Sequence, residues 1–264
     1  MSTTSAIEWT DTTWNPVVGC RKVSPGCANC YAQTMTARQA SMAMARKESG
    51  GQLGKGAHYL KVVDLDTRRF NGRAVVVPEA LDEPLRWKKP RRVFVNSMSD
   101  LFHEDVPKAF ITRVFATIER TPRHKYQILT KRPEAMLAYM WEPLWHGRVP
   151  QNAWFGTSVE NGKHGLPRID VLRQVPAAIR FLSCEPLLED LGELNLDGIH
   201  WVIAGGESGP GARPIEADWV RSIRDQCQDQ GVAFFFKQWG GVRKKENGRE
   251  LDGRAWDEMP EVVA

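Results

Sequence analysis

The sequence predicts an α/β protein, a partial or near-complete (β/α) TIM-type barrel of about six to seven parallel strands with surrounding helices. Beyond residue 90, short runs of β-branched and aromatic residues alternate with amphipathic stretches. The runs are almost continuously apolar, as strands covered on both faces require. A length of 264 residues also suits one such barrel.

Thr12 to Gly19 reads as the first strand. It feeds a glycine-bracketed loop, Gly19-Cys20-Arg-Lys-Val-Ser-Pro25-Gly26-Cys27-Ala-Asn-Cys30-Tyr31, after which a helix is expected from Ala28 to about Lys47. Residues 48–80 form an irregular or inserted segment. Within it, Ser49 to Gly56 holds four glycines and reads as a loop, and Arg73 to Pro78 reads as an extra short strand. The regular strands follow as Arg92-Val-Phe-Val-Asn96, Tyr126-Gln-Ile-Leu-Thr130, Ala153-Trp-Phe-Gly-Thr157, Ile179-Arg-Phe-Leu-Ser183, Trp201-Val-Ile-Ala204 and Val232-Ala-Phe-Phe-Phe236. Helices are predicted from Pro107 to Arg120, with Phe110, Ile111, Val114, Phe115 and Ile118 at helical spacing, and from Leu166 to Gln174. A further helix runs from Ala217 to Gln230, closed by Gly231. Residues 240–264 read as a C-terminal extension, with Asn247-Gly248 between charged runs suggesting an exposed hairpin or tail. No second domain or internal repeat is expected; residues 1–264 read as a single barrel domain.

With 42% apolar and 26% charged residues, the chain has the composition of a soluble enzyme. A net charge of +4 is compatible with a polyanionic partner and does not demand one. The N-terminus lacks the basic and apolar regions of a signal peptide, and no uncharged apolar run approaches the ~18 residues of a membrane span. The cytoplasm is the expected compartment. There, clustered cysteines point to metal or catalysis rather than to disulfides.

Parallel barrels carry their active sites at the C-terminal strand ends. Those ends read, in order, as the three-cysteine loop, Asn96-Ser97-Met98-Ser99-Asp100, Thr130-Lys131-Arg132, Thr157-Ser158-Val159-Glu160-Asn161, Ser183-Cys184-Glu185, Gly205-Gly206-Glu207-Ser208-Gly209-Pro210-Gly211, and Lys237-Gln238-Trp239. Every apolar run therefore stops in polar, ionisable or glycine residues, which points to a site on that rim.

The three cysteines carry the sharpest chemistry. A closed tetrahedral zinc site takes four protein ligands, so three thiolates fall one short. On a four-iron cluster they would leave one iron open. Arg21 and Lys22 beside them favour the thiolate form. The loop resembles the cluster loop of radical S-adenosylmethionine (SAM) enzymes. Six residues separate Cys20 from Cys27, where three is usual in that superfamily.

A closer resemblance covers nearly the whole chain. Trp9-Thr10-Asp11 with Trp14-Asn15-Pro16, the cysteine loop, Val93-Phe-Val-Asn-Ser-Met-Ser-Asp-Leu-Phe-His103, Leu129-Thr-Lys-Arg-Pro133 and Gly205-Gly-Glu-Ser-Gly-Pro-Gly-Ala-Arg-Pro214 agree in order with one group of proteins. It is a phage-associated, uncharacterised family of radical-SAM-like proteins, related to the spore photoproduct lyase branch. The resemblance implies a [4Fe-4S] cluster on Cys20, Cys27 and Cys30, with SAM as its companion. It also implies reductive cleavage to a 5′-deoxyadenosyl radical, an electron donor such as flavodoxin or ferredoxin, and a nucleic acid or nucleotide substrate, in repair or base modification.

The superfamily's Gly-Gly-Glu motif receives the SAM amino group after the second strand. Here Gly205-Gly206-Glu207 follows the sixth, so the amino-group contact is assigned to Ser97, Ser99 and Asp100. Lys131 and Arg132 are candidates for the SAM carboxylate or a substrate phosphate, Ser158 and Glu160 for the ribose hydroxyls. The loop Gly205 to Gly211, with Ser208, offers backbone N–H groups to an anion or the adenine edge. Cys184 would return a hydrogen atom to a product radical, as a cysteine does in photoproduct lyases, flanked by Glu185 and by Lys237 from the next strand but one.

The remaining features divide more evenly. Arg86 to Arg92 holds five basic residues in seven, but leads into a strand on the face away from the chemistry. Lys131, Arg132, Arg213 and Lys237 are better phosphate candidates, while Trp9, Trp14 and Trp239 read either as base-stacking or as packing residues. Cys227 reads as core, and His103 as the histidine that faces the site. Two alternatives remain open: a zinc-binding barrel (structural clip or hydrolase) and a non-catalytic nucleic-acid-binding barrel.

Overall fold

Seven parallel strands in chain order form the central sheet of the computed structural model, which describes residues 5–142 and 149–261. They are β1 (Thr12–Trp14), β2 (Arg92–Val95), β3 (Lys125–Thr130), β4 (Ala153–Ser158), β5 (Ile179–Cys184), β6 (Trp201–Gly205) and β7 (Ala233–Gln238). Parallel neighbours require a crossover after each strand. Helices α1 (Tyr31–Glu48), α2 (Lys108–Glu119), α3 (Pro133–Met140), α4 (Gly162–Arg173) and α5 (Ala217–Asp229) lie on five of the six crossovers. Residues 185–200 join β5 to β6 through turns alone. This is the α/β, partial TIM-type arrangement expected. No described helix is long and apolar enough to cross a membrane. Residues 262–264 of the expected C-terminal extension lie outside the described residues.

The chain packs as two compact units. The first comprises residues 10–23 and 30–128 with Ser5; the second comprises 6–9, 24–29 and the described residues beyond 128.

In the first unit, β1 stops at Trp14, short of the expected Gly19. Pro16 has no N–H to donate to a sheet ladder. Val17–Val18 instead pairs antiparallel with Val75–Val76, the extra strand expected at Arg73 to Pro78. Trp14 is fully buried against Tyr126, and its Nε1 donates to the Ala80 carbonyl at 2.7 Å. It is a packing residue and cannot stack a base. Helix α1 begins at Tyr31 rather than Ala28, because Cys30 is extended as its N-cap. Residues 48–80 hold more order than a loop: a short helix, Gly56–Leu60, and a small ladder of Val63–Asp64 on Arg69–Phe70. The basic run at Arg86 to Arg92 seats the start of β2, with Arg91 over the Trp87 ring and Arg92 paired to Asp11 at 2.8 Å.

The second unit is built on aromatic packing. Trp201 opens β6 and meets Trp9, Trp154, Phe181 and Phe235 at centroid distances of 5.6–6.2 Å. Trp9 is therefore also core. Gly156 on β4 sits opposite Phe181 on β5, and a Cβ there would lie 2.5 Å from the Phe181 ring. Gly156→Ala is expected to destabilise the protein by about 1–3 kcal/mol through overpacking, read as a lowered urea midpoint at unchanged m-value. Helix α4 begins at Gly162, ahead of the expected Leu166, because Asn161 caps it by accepting the His164 N–H at 3.0 Å. Cys227 is buried on α5, as expected. Beyond β7, the Phe236 N–H donates to the Trp256 carbonyl and the Glu258 N–H to that of Phe234, so the C-terminal extension covers the strand's free edge. The hairpin pairs Glu250–Leu251 with Arg254–Ala255, and the expected turn at Asn247-Gly248 instead ends a short helix, Lys244–Asn247.

Candidate functional site

In the first unit, the chain turns out of β1 through tightly packed backbone. Gly19 has φ +87°, and a Cβ there would come 2.4 Å from the Arg73 carbonyl, so only glycine fits. Cys20 and Cys30 are half-buried. The loop after β2 packs beside them: the Ser99 hydroxyl donates to the Val17 carbonyl at 2.7 Å and the Tyr31 hydroxyl to the Ser97 carbonyl at 3.0 Å. Asn15 Oδ1 accepts both the Ser97 hydroxyl and the Met98 N–H at 3.1 Å. Asp100 is buried, and its Oδ1 accepts the Phe102 N–H at 3.0 Å. Ser97, Ser99 and Asp100 thus shape the loop around the first and third cysteines.

In the second unit, three carboxylates stand at successive strand ends, each paired with a base. Glu160, after β4, is fully buried. Its Oε2 accepts from Arg168 Nη1 at 2.7 Å and lies 3.7 Å from Lys131 Nζ, while Oε1 has no hydrogen bond of regular geometry. Burial alone would raise its pKa. Lys131, the Ser24 hydroxyl and Arg168 outweigh that and hold the carboxyl below its usual range. Glu185, after β5, pairs with Lys237 Nζ at 2.8 Å and accepts the Ser183 hydroxyl at 3.2 Å. Glu207, after β6, takes Arg213 Nη2 on Oε1 at 2.6 Å; Arg213 Nε and Asn29 Nδ2 both reach Oε2 at 2.9 Å. Its pKa is also lowered, with burial opposed by the bonds from Arg213 and Asn29.

Two of these acids meet the cysteine loop. Residues 24–29 belong to the second unit, and Pro25–Cys27 forms one 3₁₀ turn. Gly26 is buried on Glu160, where a Cβ would lie 3.0 Å from that side chain. Cys27 is half-buried, with Ser24 Oγ 3.9 Å from its sulfur. Beyond β6 and β7 an open pocket of about 450 Å³ is lined by Arg213, Ile215, Trp239 and Asn247 among others. Among the described residues, no three His, Cys, Asp or Glu side chains surround a common point as metal ligands do.

A family model described as "Protein of unknown function (DUF5131)" matches residues 4–260. The chain belongs to the DUF5131 family. No curated protein matches it. Two solved structures of spore photoproduct lyase point mutants are similar, with TM-scores of 0.44 and 0.42 at 12% and 11% identity. In each case 86% of this chain is covered, and it spans 63% of the lyase chain.

In this DUF5131 protein the residues singled out at the strand ends of the second unit do come together, but as ion pairs. Lys131, Arg213 and Lys237 are each neutralised by Glu160, Glu207 or Glu185, so a phosphate would have to compete with a carboxylate for each. Arg132 caps the start of α3, its N–H donating to Thr130 Oγ1 at 2.9 Å. Ser158 is buried, and its carbonyl accepts from Arg168 at 2.8 Å. Gly205 lies against Glu185, and Ser208 hydrogen-bonds Gln238. Cys184 has no exposed surface; burial first, then Cys227, Glu185 and Glu160, push its thiol well above the ordinary range. His103 is buried in the first unit, where Nδ1 accepts the Asp105 N–H at 3.1 Å.

Sequence reasoning missed Arg168, Asn29, Asn15 and Asn96. Arg168 left a signal, a lone base inside the apolar stripe of α4. Asn96 left none; it adopts φ +60° and its Oδ1 accepts the Val17 N–H at 3.2 Å.

Proposed function

We propose that this chain is an iron–sulfur enzyme that cleaves S-adenosylmethionine reductively and acts on a nucleic acid or nucleotide, in repair or base modification. One observation carries the reading: three half-buried cysteines follow the first strand of a sequentially ordered parallel sheet. The donor chemistry suits an iron–sulfur cluster with one open iron.

When bound, the cluster and SAM would supply a one-electron cleavage that releases methionine and leaves a 5′-deoxyadenosyl radical for hydrogen-atom abstraction. A low-potential donor such as flavodoxin or ferredoxin is the matching electron source. Cys20, Cys27 and Cys30 are the ligands. Ser97, Ser99 and Asp100 hold the neighbouring loop, and the strand ends at Lys131, Arg132, Ser158, Glu160 and Gly205 to Ser208 frame the companion site. Cys184 holds a hydrogen on Sγ, which burial keeps from ionising, beside the Glu185–Lys237 pair. For the substrate, the pocket offers the Trp239 ring, an amide and a guanidinium in a volume usual for small-molecule sites.

Protein purified without oxygen is expected to be brown, with about four irons and matching acid-labile sulfide per chain. With SAM and a reductant it should form 5′-deoxyadenosine. A colourless protein carrying about one zinc, after failed cluster reconstitution, overturns the proposal. A cluster without SAM cleavage, together with tight binding to DNA or RNA, replaces the enzyme with a binding module.

A further inference from the structure

Glu207 closes the Gly-Gly-Glu stretch, and both of its oxygens are engaged by donors of the chain itself. Oε1 accepts Arg213 Nη2, while Oε2 accepts Arg213 N, Arg213 Nε and Asn29 Nδ2. Asn29 Nδ2 also donates to the Gly211 carbonyl at 2.8 Å. One amide therefore ties the cysteine loop to both ends of the glycine-rich turn. That turn is held closely from behind. A Cβ on Gly206 would come 2.0 Å from the Trp239 carbonyl, and one on Gly240 would come 2.2 Å from the Glu207 carbonyl. The Gly241 N–H donates to the Glu207 carbonyl at 2.7 Å. The two glycines let these backbones touch, which fixes where the Glu207 carboxylate stands.

The long first gap of the cysteine loop fits the same arrangement. Ser24, Pro25 and Gly26 occupy it, and they turn onto Glu160. A shorter gap would have no residues to seat there. The stretch from Ser24 to Asn29, with Cys27 inside it, is thus held at one end by Glu160 and at the other by Glu207.

We infer that Glu207 is a positioning residue: through Asn29 it fixes the Cys27 segment, and it is not a contact for a substrate or cofactor amino group. The metal-binding purpose of that segment rests on the iron–sulfur reading above; the latch itself does not.

The test uses the metal-free full chain and iodoacetamide, with alkylation at each cysteine followed by mass spectrometry. Asn29→Ala and Glu207→Gln are expected to raise the rate at Cys27 by about threefold to tenfold, the usual net loss of one hydrogen bond. Rates at Cys184 and Cys227, both fully buried in the same unit, should not change. These two thiols separate release of the latch from general loosening of the fold. If Glu207→Gln loosens the fold as a whole, Asn29→Ala alone decides. Unchanged Cys27 reactivity in Asn29→Ala, or an equal rise at Cys27, Cys184 and Cys227, overturns the inference. Iron uptake by the unaltered chain is measured in parallel. Its failure would count against the iron–sulfur reading and leave the latch standing on the alkylation rates.

Discussion

Cys27→Ala is expected to reduce the iron of anaerobically purified protein from about four atoms per chain to less than one. The expectation is large because a three-thiolate site has no spare ligand. Among the described residues, no three His, Cys, Asp or Glu side chains stand grouped as a substitute metal site. The same change should leave the fold almost untouched. Cys27 is half-buried, its sulfur has a 3.9 Å contact with Ser24, and it sits in a short 3₁₀ turn. Substitutions of this kind usually stay within about 0.5 kcal/mol of the parent. Iron content with circular dichroism on the same sample therefore separates lost ligation from lost structure. Cys227→Ala is the control: it lies in the core on α5, so it should lower stability and keep the iron. If Cys27→Ala retained its iron, the ligand set would be wrong.

The strands were legible because their cause is local. Runs such as Trp201-Val-Ile-Ala204 are apolar throughout, and both faces of a sheet explain that at once. The polar termini of those runs were legible for the same reason. What each terminus touches was not. Lys131 and Lys237 read as phosphate candidates in the sequence, yet each faces a carboxylate from a distant part of the chain, and such pairing has no short-range signature; Arg213 instead pairs with Glu207 of its own loop. Asn29 was missed on the same ground. Trp9 and Trp14 were left between base-stacking and packing, because closeness to the cysteine loop along the chain does not say which way a ring points; both point into cores. The hairpin was misplaced between two equivalent signals. Asp252 and Gly253 adopt φ of +55° and +79°, the two left-handed positions that a tight hairpin turn requires, whereas Asn247 ends a short helix.

Glu160→Ala is expected to destabilise the protein by about 3–5 kcal/mol, the usual consequence of removing one partner from a buried ion pair. Arg168 and Lys131 would both remain largely buried, their side chains 8% and 17% exposed, with no carboxylate between them. Glu160→Gln should lose less, since the amide oxygen can still accept from Arg168. Adding Arg168→Met to either variant should recover part of the loss, because the uncompensated charge leaves with the guanidinium. The pH dependence has a definite sign. The folded Glu160 carboxyl titrates below its unfolded value, so its contribution is complete above that unfolded value, about pH 4.3, and declines as pH falls through the folded pKa. Urea midpoints of the parent and Glu160→Gln should therefore differ most near neutrality and converge as pH falls through the lowered folded pKa. A constant difference across that range would mean that shape, not charge, is what Glu160 contributes beneath Gly26.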